Sequence, residues 1–164
     1  GHGVVLEPDL TSSMACDECG AVLDGGVEAC NALSFDMMAR SLDARRLVVR
    51  RTFVDAYALQ HPRTKCDWPK DVARHLLELC CAIEYKGSLD IYSGMKMWLH
   101  HAHNLPELQP PEMRGSMTIL DVAAADGLEN YIEAVRKWGV CVWEAWHAHH
   151  EIVRVWIDEI SGSR

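Results

Sequence analysis

Apolar residues recur every three or four positions along most of this chain, and proline or glycine breaks the pattern at intervals. Such spacing admits helices and excludes a half-buried sheet, whose strands alternate with a period of two. Leu33, Met37 and Met38 predict a short first helix from 31 to about 42. Asp43 is placed to cap a second, with Leu47, Val54, Tyr57 and Ala58 on its inner stripe. His61-Pro62 closes it, because the residue before proline is forced out of the helical region. Trp68-Pro69 opens the next helix, with Asp71 in its first turn and Val72, Leu76, Leu79 and Ile83 as its stripe. Gly87-Ser88 turns into a helix striped by Ile91, Met95, Trp98 and Ala102. A proline-bearing connection fills 104–116, and 118–122 reads as a brief extended piece. Asp126-Gly-Leu-Glu129 starts the last and longest helix, reaching about 160, with a stripe of Leu128, Ile132, Val135, Val142, Trp146, His149 and Val153. Gly139 marks an expected kink in it. The expected class is all-α, a bundle of four to five helices with an N-terminal cysteine knuckle.

The knuckle is the stretch 16–30, which has cysteine and glycine in place of large apolar groups and so needs something other than a core to hold it. In Cys16-x-x-Cys19-Gly20, two thiolates two residues apart can bite one tetrahedral ion, and the glycine permits the tight turn. Cys30 supplies a third ligand. His61 and Cys66, both near the end of the second helix, compete for the fourth place. Cys66 would add negative charge to a chain already at −8, so His61 and a Cys₃His zinc site are preferred. A redox dithiol is the rival reading, but no strand precedes the motif as a thioredoxin-like unit requires. Unpaired surface thiols are the bland one.

Composition narrows the function classes. With 49% hydrophobic residues in 164, the chain can bury a core without disulfides. Its balance of 16 basic against 24 acidic residues repels phosphate, which argues against sequence-independent nucleic-acid or anionic-membrane binding. No apolar run approaches the ~20 residues of a membrane helix. Seven cysteines without an export signal read as thiols or ligands, and a soluble cytoplasmic protein is expected. Residues 1–15 read as a disordered tail or tag remnant and 16–164 as one domain.

Of nine histidines, His100, His101 and His103 read as solvated complements to a helix end. His61, His75, His149 and His150 fall on or beside apolar stripes, where a buried imidazole needs partners for both nitrogens. Bonds to backbone carbonyls would provide them. So would a second divalent ion held by His61, His75 and His150 with open positions for water. If His61 joins the cysteines, His75 and His150 become rivals for that fourth place or partners that orient ligands. Asp55 reads either as an ion-pair partner of Arg51 or as a carboxylate orienting a ligating histidine. Trp138, Trp143, Trp146 and Trp156 read as packing groups. Phosphate loops, nucleophile elbows and paired-carboxylate motifs are missing.

The runs Cys16-x-x-Cys19-Gly20-Ala21, Val54-Asp55-Ala56-Tyr57-Ala58-Leu59-Gln60-His61-Pro62, His75-Leu76, Leu108-Gln109-Pro110-Pro111 and Trp143-x-x-Trp146-x-x-His149-His150 resemble an uncharacterised bacterial family of unknown function. More distantly, buried histidines and a His-rich late helix resemble the DinB/YfiT-like bundles. That likeness implies a divalent metal held by three histidines and, in some members, thiol transfer. Three functions are therefore open: a structural Zn²⁺ protein, a metal-dependent hydrolase or thiol transferase, and an interaction module docking a partner protein or a second copy as a homodimer.

Overall fold

The computed structural model describes residues 14–40, 43 and 45–162. The tail expected at 1–15 lies almost wholly outside them. Eight α-helices are present and no strand, so the all-α expectation holds among the described residues. They are α1 (Gly26–Arg40), α2 (Arg50–Gln60), α3 (Pro62–Lys65), α4 (Pro69–Glu84), α5 (Leu89–His101), α6 (Ile119–Ala123), α7 (Leu128–Ala145) and α8 (His150–Gly162).

Local chemistry sets most of the boundaries. Asp43 Oδ1 accepts from the Arg45 and Arg46 amides at 3.1 and 3.0 Å and starts the 3₁₀ turn that leads into α2. His61 leaves helical geometry at φ −130°, and Pro62 begins α3 at once. Asp71 accepts from the Asp67 and Trp68 amides and anchors α4, while Ser88 caps α5 through the Ile91 amide. Centrally, α2 packs on α4 and α7, and α4 also carries α5 and α8. Buried tryptophans knit these layers together by giving their N–H groups to other elements. Trp138 donates to Gln60 Oε1 at 3.0 Å and Trp146 to the Leu59 carbonyl at 3.1 Å. Gln60 in turn donates to the carbonyls of Arg114 and Met117, which straps the long connection onto the bundle.

Four expectations need correction. Helix α1 begins at Gly26, so Cys30 rides on a helix and not in a loop. Residues 118–122 are not an extended piece: Thr118 alone is extended, and a helix starts at Ile119. Thr118 accepts from the Leu120 amide and Asp121 from the Thr118 amide, and this reciprocal cap outweighs the β-branched residues. The last helix is two helices, because α7 ends at Ala145 and a 3₁₀ turn over His147–His149 precedes α8. His150 Nε2 lies 2.7 Å from the Trp143 carbonyl, and satisfies an oxygen that a continuing helix would have bonded through residue 147. His149 consequently leaves the buried stripe and meets the Gln109 carbonyl. Gly139 does not interrupt α7. A Cβ there would sit 2.7 Å from Thr52 Cγ2, so the glycine serves close approach to α2.

Candidate metal centre

The knuckle is a backbone turn that presents sulfur. The Gly20 amide donates to the Cys16 carbonyl and the Cys16 amide to the Ala21 carbonyl, both at 2.8 Å. Gly20 sits at φ +83°, where a side chain would be strained. The Ala21 amide points at Cys19 Sγ at 3.4 Å. This turn brings Cys16 and Cys19 to one side, and α1 carries Cys30 to meet them.

His61 arrives from the end of α2 and is fully buried. Its ring stacks on Tyr57, with centroids 3.8 Å apart. Nδ1 lies 2.7 Å from the Tyr57 carbonyl, which can only accept, so a proton belongs on Nδ1 and Nε2 is left for a second proton or a cation. Nε2 lies 3.4 Å from Cys30 Sγ, and Cys19 Sγ lies 3.9 Å from Cys30 Sγ. One donor atom from each of Cys16, Cys19, Cys30 and His61 falls within 4.8 Å of all the others, and the group can hold a metal ion. A tetrahedral ion with Zn–S bonds of ~2.3 Å and a Zn–N bond of ~2.0 Å sets its ligand atoms ~3.5–3.8 Å apart. The two spacings to Cys30 Sγ, 3.4 and 3.9 Å, lie close to that shape, and the rest fall within 4.8 Å.

Electrostatics point the same way. A hydrogen bond with the Cys19 thiol, joined by one from His61 and one from the Tyr57 hydroxyl and by the charge of a protonated His61, holds the Cys30 pKa well below the ordinary thiol range despite burial. Giving that bond, together with burial, pushes the Cys19 pKa up, and burial raises Cys16. Cys30 Sγ and His61 Nε2 therefore face each other inside the protein with room for one shared proton or cation. Two electron pairs so placed need a proton or a cation between them.

Glu18 locks this arrangement from outside. It stands between the two knuckle cysteines, yet its side chain is buried and turned onto α3. Its carboxylate accepts from the Arg63 amide at 2.9 Å, from the Thr64 amide at 3.2 Å and from the Thr64 hydroxyl. Arg114 reaches both the Glu18 and Gln60 carbonyls at 3.3 Å. The knuckle is thereby pinned to the very loop that positions His61.

Residues 14–147 match a family of unknown function, DUF5946, and the matched region contains all four grouped residues. The chain belongs to DUF5946. No curated protein and no solved structure matches it. In this DUF5946 chain the other expected ligands lie elsewhere. Cys66 is outside the group, half-buried, with its thiol pushed up to about 12 by burial. His75 sits against Asp55, Nδ1 to Oδ1 at 2.8 Å, with Arg74 facing its Nε2 at 3.5 Å. His150 stacks on Trp143 and bonds its carbonyl. No group combining His61, His75 and His150 forms among the described residues. Sequence reading missed Glu18 and Tyr57. The available signals were an acid inside the Cys-x-x-Cys bite, and a tyrosine one turn before a histidine on the same face.

Proposed function

We propose that this is a zinc-binding helical-bundle protein in which Cys16, Cys19, Cys30 and His61 hold a structural Zn²⁺. The carrying observation is the contact of His61 Nε2 with Cys30 Sγ at 3.4 Å, with Nδ1 tied to the Tyr57 carbonyl. A buried imidazole nitrogen and a cysteine sulfur that must share a proton or a cation make up an arrangement a metal resolves, and a backbone carbonyl on the other ring nitrogen is the usual outer partner of a ligating histidine. Three thiolates with one imidazole form a soft donor set suited to zinc and not to Mg²⁺ or Ca²⁺. Four protein ligands close the coordination sphere, which gives the ion a structural role and leaves no place for substrate. Its work is to fasten a segment with few large apolar residues onto α2. Metal analysis of purified variants tests this. His61→Ala should lose most of its zinc, whereas Cys66→Ser should keep one equivalent per chain. Loss with Cys66→Ser alone, or under half an equivalent in the unaltered protein, overturns the proposal.

A further inference from the structure

A second feature lies on the other side of Tyr57. Helices α1, α2, α3 and α4 line a half-open pocket of about 330 Å³, at the small end of ligand pockets, with Phe35 and Arg74 at its exposed rim. Phe35, Phe53 and Tyr57 give it aromatic walls, and Arg50, Lys65, Arg74 and His75 line it with no Asp or Glu among the described lining residues. This inverts the balance of a chain that carries 24 acidic and 16 basic residues. Among the described residues, neither Lys65 nor Arg74 has an acidic group within ion-pair distance. The Lys65 ammonium lies instead over the Phe35 ring, 4.4 Å from its centre, and burial lowers its pKa. The Arg74 guanidinium faces the Nε2 of His75 at 3.5 Å.

His75 fits the same picture. Burial, with Arg74 beside it, brings its pKa down to about 4, so the ring is neutral at physiological pH. Asp55 takes the proton side of that ring, and the bare Nε2 is turned to Arg74 at the cavity wall. His75 also groups with Asp55 and Glu78 within 4.8 Å, a set that could hold a cation, whereas its Nε2 has the Arg74 guanidinium at 3.5 Å and an anion would be drawn to that side.

We propose that this cavity binds a small organic anion, with its carboxylate or phosphate on Lys65 and Arg74 and its apolar body against Phe35, Phe53 and Tyr57. Arginine and lysine donate charge-assisted bonds to such groups, and the partly desolvated site strengthens them. The proposal does not rest on the zinc site: the Lys65 ammonium and the Arg74 guanidinium bond none of the four proposed ligands, although the Lys65 amide bonds the His61 carbonyl and Tyr57 stands between the two sites.

Calorimetric titration of the zinc-loaded protein with benzoate and with phenyl phosphate tests it. Saturable one-to-one binding of at least one probe is expected, and the tighter probe identifies the head group. Lys65→Gln and Arg74→Gln should each weaken that binding about tenfold or more, the loss that follows removal of a charge-assisted bond. Both side chains reach solvent, and retained zinc content checks that each variant is folded. No saturable binding of either probe overturns the proposal. So does binding unchanged in both variants, or equally tight binding of neutral benzyl alcohol, which would mark the cavity as merely apolar.

Discussion

Replacing Glu18 by alanine removes the carboxylate that joins the knuckle to α3. Three short hydrogen bonds are lost, from the Arg63 amide, the Thr64 amide and the Thr64 hydroxyl, together with the longer one from Arg114. Hydrogen bonds to a buried charge are worth ~1.5–3 kcal/mol each, but water can reach exposed Arg63 and Thr64 once the carboxylate is gone. That compensation brings each of the three down to about 1 kcal/mol, the net value of an ordinary hydrogen bond, and the total cost to about 3 kcal/mol. At ~2–4 °C per kcal/mol for a chain of this size, Tm should fall by roughly 6–12 °C. Zinc affinity should fall too, by ~10–100-fold, the usual cost of losing a group that holds ligands in place. Thermal unfolding followed by circular dichroism reads the first quantity, and competition with a chromophoric chelator reads the second. Glu18→Gln keeps the shape but turns a donor toward amides that also donate, so it should fall between. A Glu18→Ala protein with Tm within about 2 °C of the parent and unchanged zinc affinity would refute the role of this carboxylate.

Gly139→Ala places a Cβ 2.7 Å from Thr52 Cγ2 and 3.3 Å from Leu79 Cδ1. The overpacking cost of ~1–3 kcal/mol should exceed the ~1 kcal/mol gained in helix propensity. A higher Tm for Gly139→Ala would contradict the close α2–α7 approach. Glu84 receives Arg154 Nε at 2.8 Å and Nη2 at 2.7 Å, plus Trp143 Nε1 at 3.0 Å, and the Arg154 bonds lower its pKa. A carboxylate depressed in the folded state stabilises above its ordinary pKa of 4.5, and that stabilisation is lost as pH falls below it. Denaturant unfolding at pH 7 and pH 4 should therefore show a smaller acid-induced loss in Glu84→Gln than in the parent. Equal losses would remove Glu84 as the source.

The stripes and caps of the bundle were legible because they are local. Asp43, Pro69 and Ser88 act within three or four residues of themselves, and each starts its element as the sequence implies. The start of α1 at Gly26 was not, since Gly25-Gly26-Val27-Glu28 carries no apolar stripe. The break at Trp146 was hidden for a different reason. The apolar period runs on through 149 and 153, while at the break the Trp143 carbonyl accepts from the Trp146 amide and meets the His150 ring. At the metal centre the Cys-x-x-Cys-Gly turn announces itself, and the charge argument favouring His61 over Cys66 agrees with the observed grouping. Glu18 and Tyr57 find their partners 45 and 27 residues away, a pairing that no spacing rule reads.

X-ray absorption at the zinc edge tests the ligand set most directly, because it counts neighbours by element. The proposed site predicts one zinc per chain, with three sulfurs at ~2.3 Å and one nitrogen at ~2.0 Å. Four sulfurs would replace His61 by another cysteine. A shell of nitrogen and oxygen alone, or a protein without zinc, would contradict the structural metal centre outright.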